Sequence, residues 1–176
     1  MTSDGDFLAS VWADSEIRRW VSVPSDTDSE AAARWISGSC RRREQGLALD
    51  LVGVANDDGR ILGEVGLSGF DLERRAAKIG WWTAAAERRC GVATAMVRSL
   101  TAWAHDGPLA LFAVVAEVDH TNQASVGVAE SAGFELLGST PPNSDSDSDF
   151  EVVPATKRLV FASVRRGTRD RALTEV

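Results

Sequence analysis

Hydrophobic periodicity along this chain switches between a helical repeat and a two-residue repeat, and the switches mark out the predicted elements. Residues 6–20 and 28–45 read as helices, the second capped by Asp28 and Ser29 and continued by Ala31, Ala32, Ala33, Trp35 and Ile36. Arg41, Arg42 and Arg43 then gather positive charge where a helix dipole favours it. Leu47, Leu49 and Leu51 alternate along a strand, Asp57-Asp58-Gly59 supplies a turn, and Ile61, Gly63, Val65 and Leu67 alternate along the next. A third strand from about Ala76 to Thr83 puts Ile79 and Trp81 on one face and Lys78, Gly80 and Trp82 on the other.

From Val92 to Ala104 the pattern is helical again, with Val92, Met96 and Leu100 four apart, until Gly107-Pro108 stops it. The run from Leu109 to Val118 is apolar on both faces, which predicts a central strand reached by a crossover helix. A further helix is predicted from Asn122 to Ala132 and ends at Gly133. A short strand from Phe134 to Leu137 and a last one from about Lys157 to Val164 follow. The Asp-Ser repeat within residues 140–150 predicts a mobile acidic loop, and residues 165–176 a frayed tail.

At 176 residues, 44% hydrophobic and 26% charged, the chain predicts one domain with a single core, residues 1–46 forming its helical N-terminal part. Its apolar runs are too short to cross a bilayer and its start lacks the features of a signal peptide, so no membrane is expected as a partner and the expected location is cytoplasmic. Two cysteines, Cys40 and Cys90, and two histidines, His105 and His120, predict neither a disulfide framework nor a metal site. A net charge of −7 argues against nucleic acid as a partner and mildly favours cationic substrates, though it also serves plain solubility.

Chemistry concentrates after the third strand. Arg88-Arg89-Cys90-Gly91-Val92-Ala93-Thr94 runs straight into a helix. The first turn of a helix exposes unpaired N–H groups and partial positive charge, and small residues let a phosphate approach the backbone. The segment lacks the Lys-Ser or Lys-Thr pair of a nucleotide-triphosphate loop and the three glycines of a dinucleotide fingerprint. On spacing alone it is a pyrophosphate cradle or an ordinary strand-to-helix turn.

In this segment the chain resembles the GNAT superfamily of acetyltransferases, whose pyrophosphate motif is Gln or Arg, two residues, Gly, one residue, Gly or Ala; Arg88, Gly91 and Ala93 fill those positions. Asn122-Gln123-Ala124-Ser125, with Gly133-Phe134 closing the helix, and Ile79-Gly80-Trp81-Trp82 are similar to motifs of the branch that acetylates ribosomal-protein N-termini, the RimJ/RimL-type branch. The resemblance covers roughly residues 47–139. It implies an α/β fold with a mixed, mostly antiparallel sheet, a central parallel strand pair and flanking helices. Members of that branch open on a strand before the first helix, whereas this chain opens on the helix.

The resemblance further implies acetyl-CoA as cosubstrate. Backbone groups at Trp82 and Thr83 would meet the pantetheine arm, and those of Arg88, Arg89, Cys90, Gly91, Val92, Ala93 and Thr94 the pyrophosphate. Asn122 would bond the cofactor arm while also capping its helix, and Ser125, about one turn on, would bind or protonate the leaving thiolate. Many members use a tyrosine on this helix as the acid; this chain has no tyrosine and the matching position is Ala129. A backbone N–H near Trp82 or Thr83 would stabilise the oxyanion formed by direct amine attack. The amine needs a base, for which Glu64 is the first candidate and Glu117 the second, each with the ordinary alternative of a surface or ion-paired carboxylate.

The expected activity is therefore N-acetylation of a primary amine on a protein or peptide N-terminus, by a monomer or homodimer. Acetylation of a small-molecule amine, polyamine or antibiotic, is the rival reading. A non-catalytic acyl-CoA sensor is the reading from another class, favoured slightly by the missing tyrosine.

Overall fold

A computed structural model describes residues 4–24, 26–141 and 156–165. The acidic loop expected over 140–150 falls almost wholly outside the described residues, as does the expected tail beyond residue 165. The predicted first helix is two: α1, Asp4–Trp12, and α2, Ser15–Trp20. Asp14 divides them. Its backbone is extended and its carboxylate accepts the N–H groups of Glu16 and Ile17, so the residue caps a new helix instead of continuing the old one. The second predicted helix is α3, Ser29–Glu44, capped by Asp28.

Strands β1, Ala48–Val54, β2, Ile61–Asp71, and β3, Ala76–Thr83, form an antiparallel meander, followed by α4, Val92–Asp106. Then come β4, Ala113–Asp119, α5, Gln123–Ser131, β5, Glu135–Thr140, and β6, Arg158–Val164. The six strands make one sheet in the order β1-β2-β3-β4-β6-β5, antiparallel except for the β3–β4 pair. This is the predicted mixed sheet with its central parallel pair. β1 is its outer edge.

The central strand begins four residues later than its apolar run predicts. Ala110 takes a left-handed φ of 44° and Leu111, almost fully buried, donates its N–H to Ala104 O at 2.8 Å. Residues 109–112 therefore fill space as a connection and do not alternate as a strand. The first short C-terminal strand likewise lies further on than predicted, running to Thr140.

The two faces of the sheet bury different partners. Val65, Leu67, Ile79, Val114, Ala116 and Val118 pack with Val97, Leu100 and Ala104 of α4 and with Ala129 and Phe134 around α5. A second cluster joins Leu8, Val11, Trp12, Ile17, Val23, Ala31 and Ala32 of the N-terminal helices, and Trp82 packs against it. The neighbouring tryptophans of β3 thus serve opposite layers, as strand alternation requires. Close approach of α4 to the meander depends on Gly53 and Gly63, cross-strand partners whose Cβ atoms would meet Met96, that of Gly63 also striking Trp82 O at 2.4 Å.

Phe161, 1% exposed on β6, is among the largest fully buried side chains. Phe161→Ala is expected to cost about 3–5 kcal/mol in urea unfolding. A cost below about 1 kcal/mol would contradict this account of the core.

Candidate active site

Strands β3 and β4 are in register for only three residues, Ala76↔Ala113, Ala77↔Val114 and Lys78↔Val115. Beyond that point they part, and β3 continues to Thr83 while β4 continues to Asp119. The Ala84 N–H donates to Leu62 O at 2.9 Å across the other edge of β3. By the alternation of an antiparallel ladder, Trp82 then turns its backbone groups to β2, and Trp81 and Thr83 turn theirs into the opening. Of the backbone contacts expected at Trp82 and Thr83, only Thr83's side of the strand faces the gap.

A cleft of about 360 Å³ runs through this opening. Trp20, Val21 and Ser22, at the end of α2, form one wall. β2 and β3 contribute Glu64, Gly66, Gly80, Trp81 and Trp82, β4 contributes Glu117, Val118 and Asp119, and α5 contributes Asn122 and Ser125. The cleft thus brings Glu64, Trp82, Glu117, Asn122 and Ser125 together. Thr83 and the segment from Arg88 to Thr94 are not part of its lining. Gly66 and Gly80 are cross-strand partners, so the floor carries no side chains there. Gly66, Asp50 and Asp119 were not singled out in the sequence. The alternation of β2 places Gly66 on the Glu64 face, opposite Gly80, whereas Asp50 on β1 and Asp119 on β4 are brought to the cleft only by the sheet.

Glu64 lies opposite Trp82 in the β2–β3 register, and the Trp82 Nε1–H donates to its carboxylate at 3.2 Å. Burial, and then the neighbouring Asp50, push the carboxyl up to about 7 from an ordinary 4.5, against the Trp82 bond and the Arg42 charge. Arg42 itself pairs with Asp50 at 2.9 Å and stacks over Trp35, 4.3 Å from the ring centroid. Its place near the end of α3 thus serves the site as well as the helix dipole. Glu117, the second candidate base, is paired with Lys78 at 2.7 Å.

On the opposite wall, Asn122 Oδ1 caps α5 by accepting the Ser125 N–H at 3.0 Å. The turn before it is held by Asp119, which accepts the backbone N–H and the hydroxyl of Thr121 and the hydroxyl of Thr156. Ala129, where a tyrosine would stand, is fully buried in the core, so nothing polar reaches the cleft from that position.

Beyond the C-terminal end of β3, a short 3-10 turn over Ala85–Glu87 leads to Arg88. Arg89 and Gly91 then take left-handed φ values of 65° and 78°, which reverse the chain into α4. Gly91 is the N-cap and has no side chain with which to bond the helix's first N–H groups; the first turn carries no acidic residue, and a Cβ at Gly91 would meet open space. The N–H groups of Val92, Ala93 and Thr94 precede the first intrahelical bond, from Ala95 N to Gly91 O. A phosphate group fits this cradle. Arg89 and Cys90 are exposed beside it, whereas the Arg88 guanidinium reaches Asp14 Oδ1 at 3.0 Å.

The sheet thus opens between its parallel strands, with the uncapped start of α4 beyond the end of β3 and the raised carboxyl of Glu64 in the adjoining cleft. The chain matches the acetyltransferase (GNAT) domain family over residues 1–135 and belongs to that family, whose acetyl donor is acetyl-CoA. Solved structures agree in fold. A ribosomal-protein-S5-alanine acetyltransferase from Vibrio fischeri is 16% identical with a TM-score of 0.77, over 92% of this chain and 88% of that one. Mycobacterium smegmatis RimJ, in complex with CoA-disulfide, is 18% identical with a TM-score of 0.77, over 97% and 84%. The spermidine N-acetyltransferase of Vibrio cholerae, in complex with CoA and spermine, is 14% identical with a TM-score of 0.74, over 92% and 90%. No curated protein matches the chain in sequence. Among the described residues no helix is long and apolar enough to cross a membrane.

The raised Glu64 pKa makes a stability prediction. A group whose folded value of about 7 exceeds its ordinary 4.5 stabilises the fold below pH 4.5, and that contribution is lost as pH rises to about 7. Glu64→Gln removes the titration. The stability of the variant relative to the parent should therefore grow between those pH values and level off above them, as read by urea unfolding; a difference that does not change with pH would contradict it.

Proposed function

We propose that this enzyme transfers the acetyl group of acetyl-CoA to a primary amine, namely the N-terminus of a protein or peptide. The observation that carries the reading is Glu64, a carboxyl pushed up to about 7 inside an open, acidic cleft that reaches the strand opening. Acetyl-CoA supplies the acetyl group as a thioester open to attack by a neutral amine.

In this reading the N–H groups at the start of α4, with Arg89 beside them, hold the pyrophosphate, and the backbone of Thr83 with that of Trp81 holds the arm along the opening. Asn122 and Ser125 meet the arm from α5, and Ser125 donates its hydroxyl hydrogen to the departing thiolate. Trp82 acts through its indole, which orients Glu64. Glu64 takes the proton that the ammonium must lose before it can attack, a transfer for which a group near neutrality is well matched. Glu117 is less suited, because Lys78 already neutralises it.

The N-terminal acceptor is supported by the cleft of about 360 Å³ that the end of α2 and β4 both line and by the likeness to ribosomal-protein acetyltransferases. The concentration of Asp50, Glu64, Glu117 and Asp119 around the cleft favours, as the second reading, a small polyamine.

The test is thiol release with acetyl-CoA over a panel of N-terminal peptides, polyamines and simple amines. Turnover of peptides above all other amines supports the reading, and preference for polyamines overturns the acceptor assignment. For the best acceptor, kcat/KM should rise with pH through about 7, where Glu64 loses its proton. Glu64→Gln should lower it roughly 10²–10⁴-fold and remove that limb. Retention of the limb in Glu64→Gln would assign the base elsewhere.

A further inference from the structure

Arg88 opens the phosphate segment, yet its side chain is engaged elsewhere. Its Nη2 lies 3.0 Å from Asp14 Oδ1, the same oxygen that accepts the Glu16 N–H at 2.8 Å and the Ile17 N–H at 3.2 Å. Asp14 is the cap of α2, a helix of six residues whose far end places Trp20, Val21 and Ser22 along the cleft. A helix this short has little stability of its own, so its direction is set by its cap and by what it packs on. Ile17 and Val21 supply the packing, in the cluster that Trp82 joins. The arginine supplies the charge at the cap.

We propose that Arg88 is a positioning residue for the acceptor wall: through Asp14 it sets α2, and with it Trp20–Ser22, against the β3–α4 connection, while the phosphates are held by the backbone of α4 and not by its guanidinium. This rests on the acetyltransferase reading above. Both side chains are about a quarter to a third exposed, at 32% for Arg88 and 23% for Asp14, so the pair is partly shielded from water and its loss is measurable. Burial works to raise the Asp14 pKa, but the Arg88 guanidinium beside it and the N–H groups of Ile17 and Glu16 outweigh it and hold the carboxyl below its ordinary value.

Asp14→Asn keeps a capping side chain and removes the charge, whereas Arg88→Gln removes the charge from the other side. Each is expected to raise the amine KM roughly fivefold with little change in kcat, and the double variant no further, since contacting partners are not additive. Arg88→Lys should recover most of the loss. The acetyl-CoA Kd, titrated by calorimetry, should stay within about twofold in all of them. An Arg88→Gln variant that weakens acetyl-CoA about tenfold or more while Asp14→Asn does not would overturn the proposal in favour of a phosphate contact. Multiplying KM effects would overturn it as well. A chain that acetylates no amine defeats the acetyltransferase reading instead, and the acetyl-CoA titrations still separate the two roles of Arg88.

Discussion

The structure depends on the parting of two parallel strands. β3 and β4 share three register positions and then diverge, leaving the outward-turned backbone groups of Trp81 and Thr83 without a neighbouring strand on that side. Backbone donors and acceptors in a protein interior demand partners, so a gap in the middle of a sheet is a place for a ligand with amide groups of its own or for water. Everything else that matters for function is arranged around that gap: Gly66 and Gly80 leave its floor bare, α5 lines its far wall and α2 its near one.

The helices do more than cover the sheet. Met96 of α4 settles over the Gly53–Gly63 pair, which lets the helix lie close to the meander, while the left-handed Arg89 and Gly91 turn the chain into its uncapped first turn. The N-terminal helices hold the same connection from the other face, with Trp82 packed into their cluster and Arg88 paired to Asp14. The connection from β3 into α4 and the helix α2 that ends at the cleft are thereby held together at two points, one apolar and one ionic.

How much of this was legible beforehand follows from the range of the interactions. Alternation in Ile61–Leu67 and the four-residue repeat of α4 are local, and they placed those elements well. The resemblance implied the parallel pair but not the gap between its strands, because strand divergence leaves no trace in periodicity. Residues 109–112 misled because an apolar run reads as a buried strand, whereas here the left-handed Ala110 makes it a connection that buries Leu111 and leaves Leu109 and Phe112 exposed. Asp14 was hidden inside an apparently continuous helical stretch, since a capping aspartate and a mid-helix aspartate look alike until the backbone is seen. The partner of Arg88 was beyond reach for the same kind of reason: it lies far away in sequence, and a charge next to a phosphate motif invites the nearer explanation.

The cleft carries several carboxylates, and what separates them is what each one meets. Asp50 faces Arg42, Glu117 faces Lys78, and Asp119 is held by the hydroxyls of Thr121 and Thr156. At Asp119 burial works to raise the pKa, but the bonds from Thr121 and Thr156 outweigh it and hold the carboxyl below its ordinary value. The acidic groups around the cleft together set up a field that draws a cation inward. Glu64 meets an indole N–H, is the more deeply buried, and has Asp50 as a like-charged neighbour. The same field that attracts an ammonium group therefore makes the charge on Glu64 costly, and an arriving cation relieves that cost. In the proposed reading, proton transfer from the ammonium to Glu64 then returns both groups to neutrality inside the cleft. One arrangement of charges would serve binding and deprotonation together, and Glu64 differs from its neighbours in that burial and a like charge make its ionised form costly.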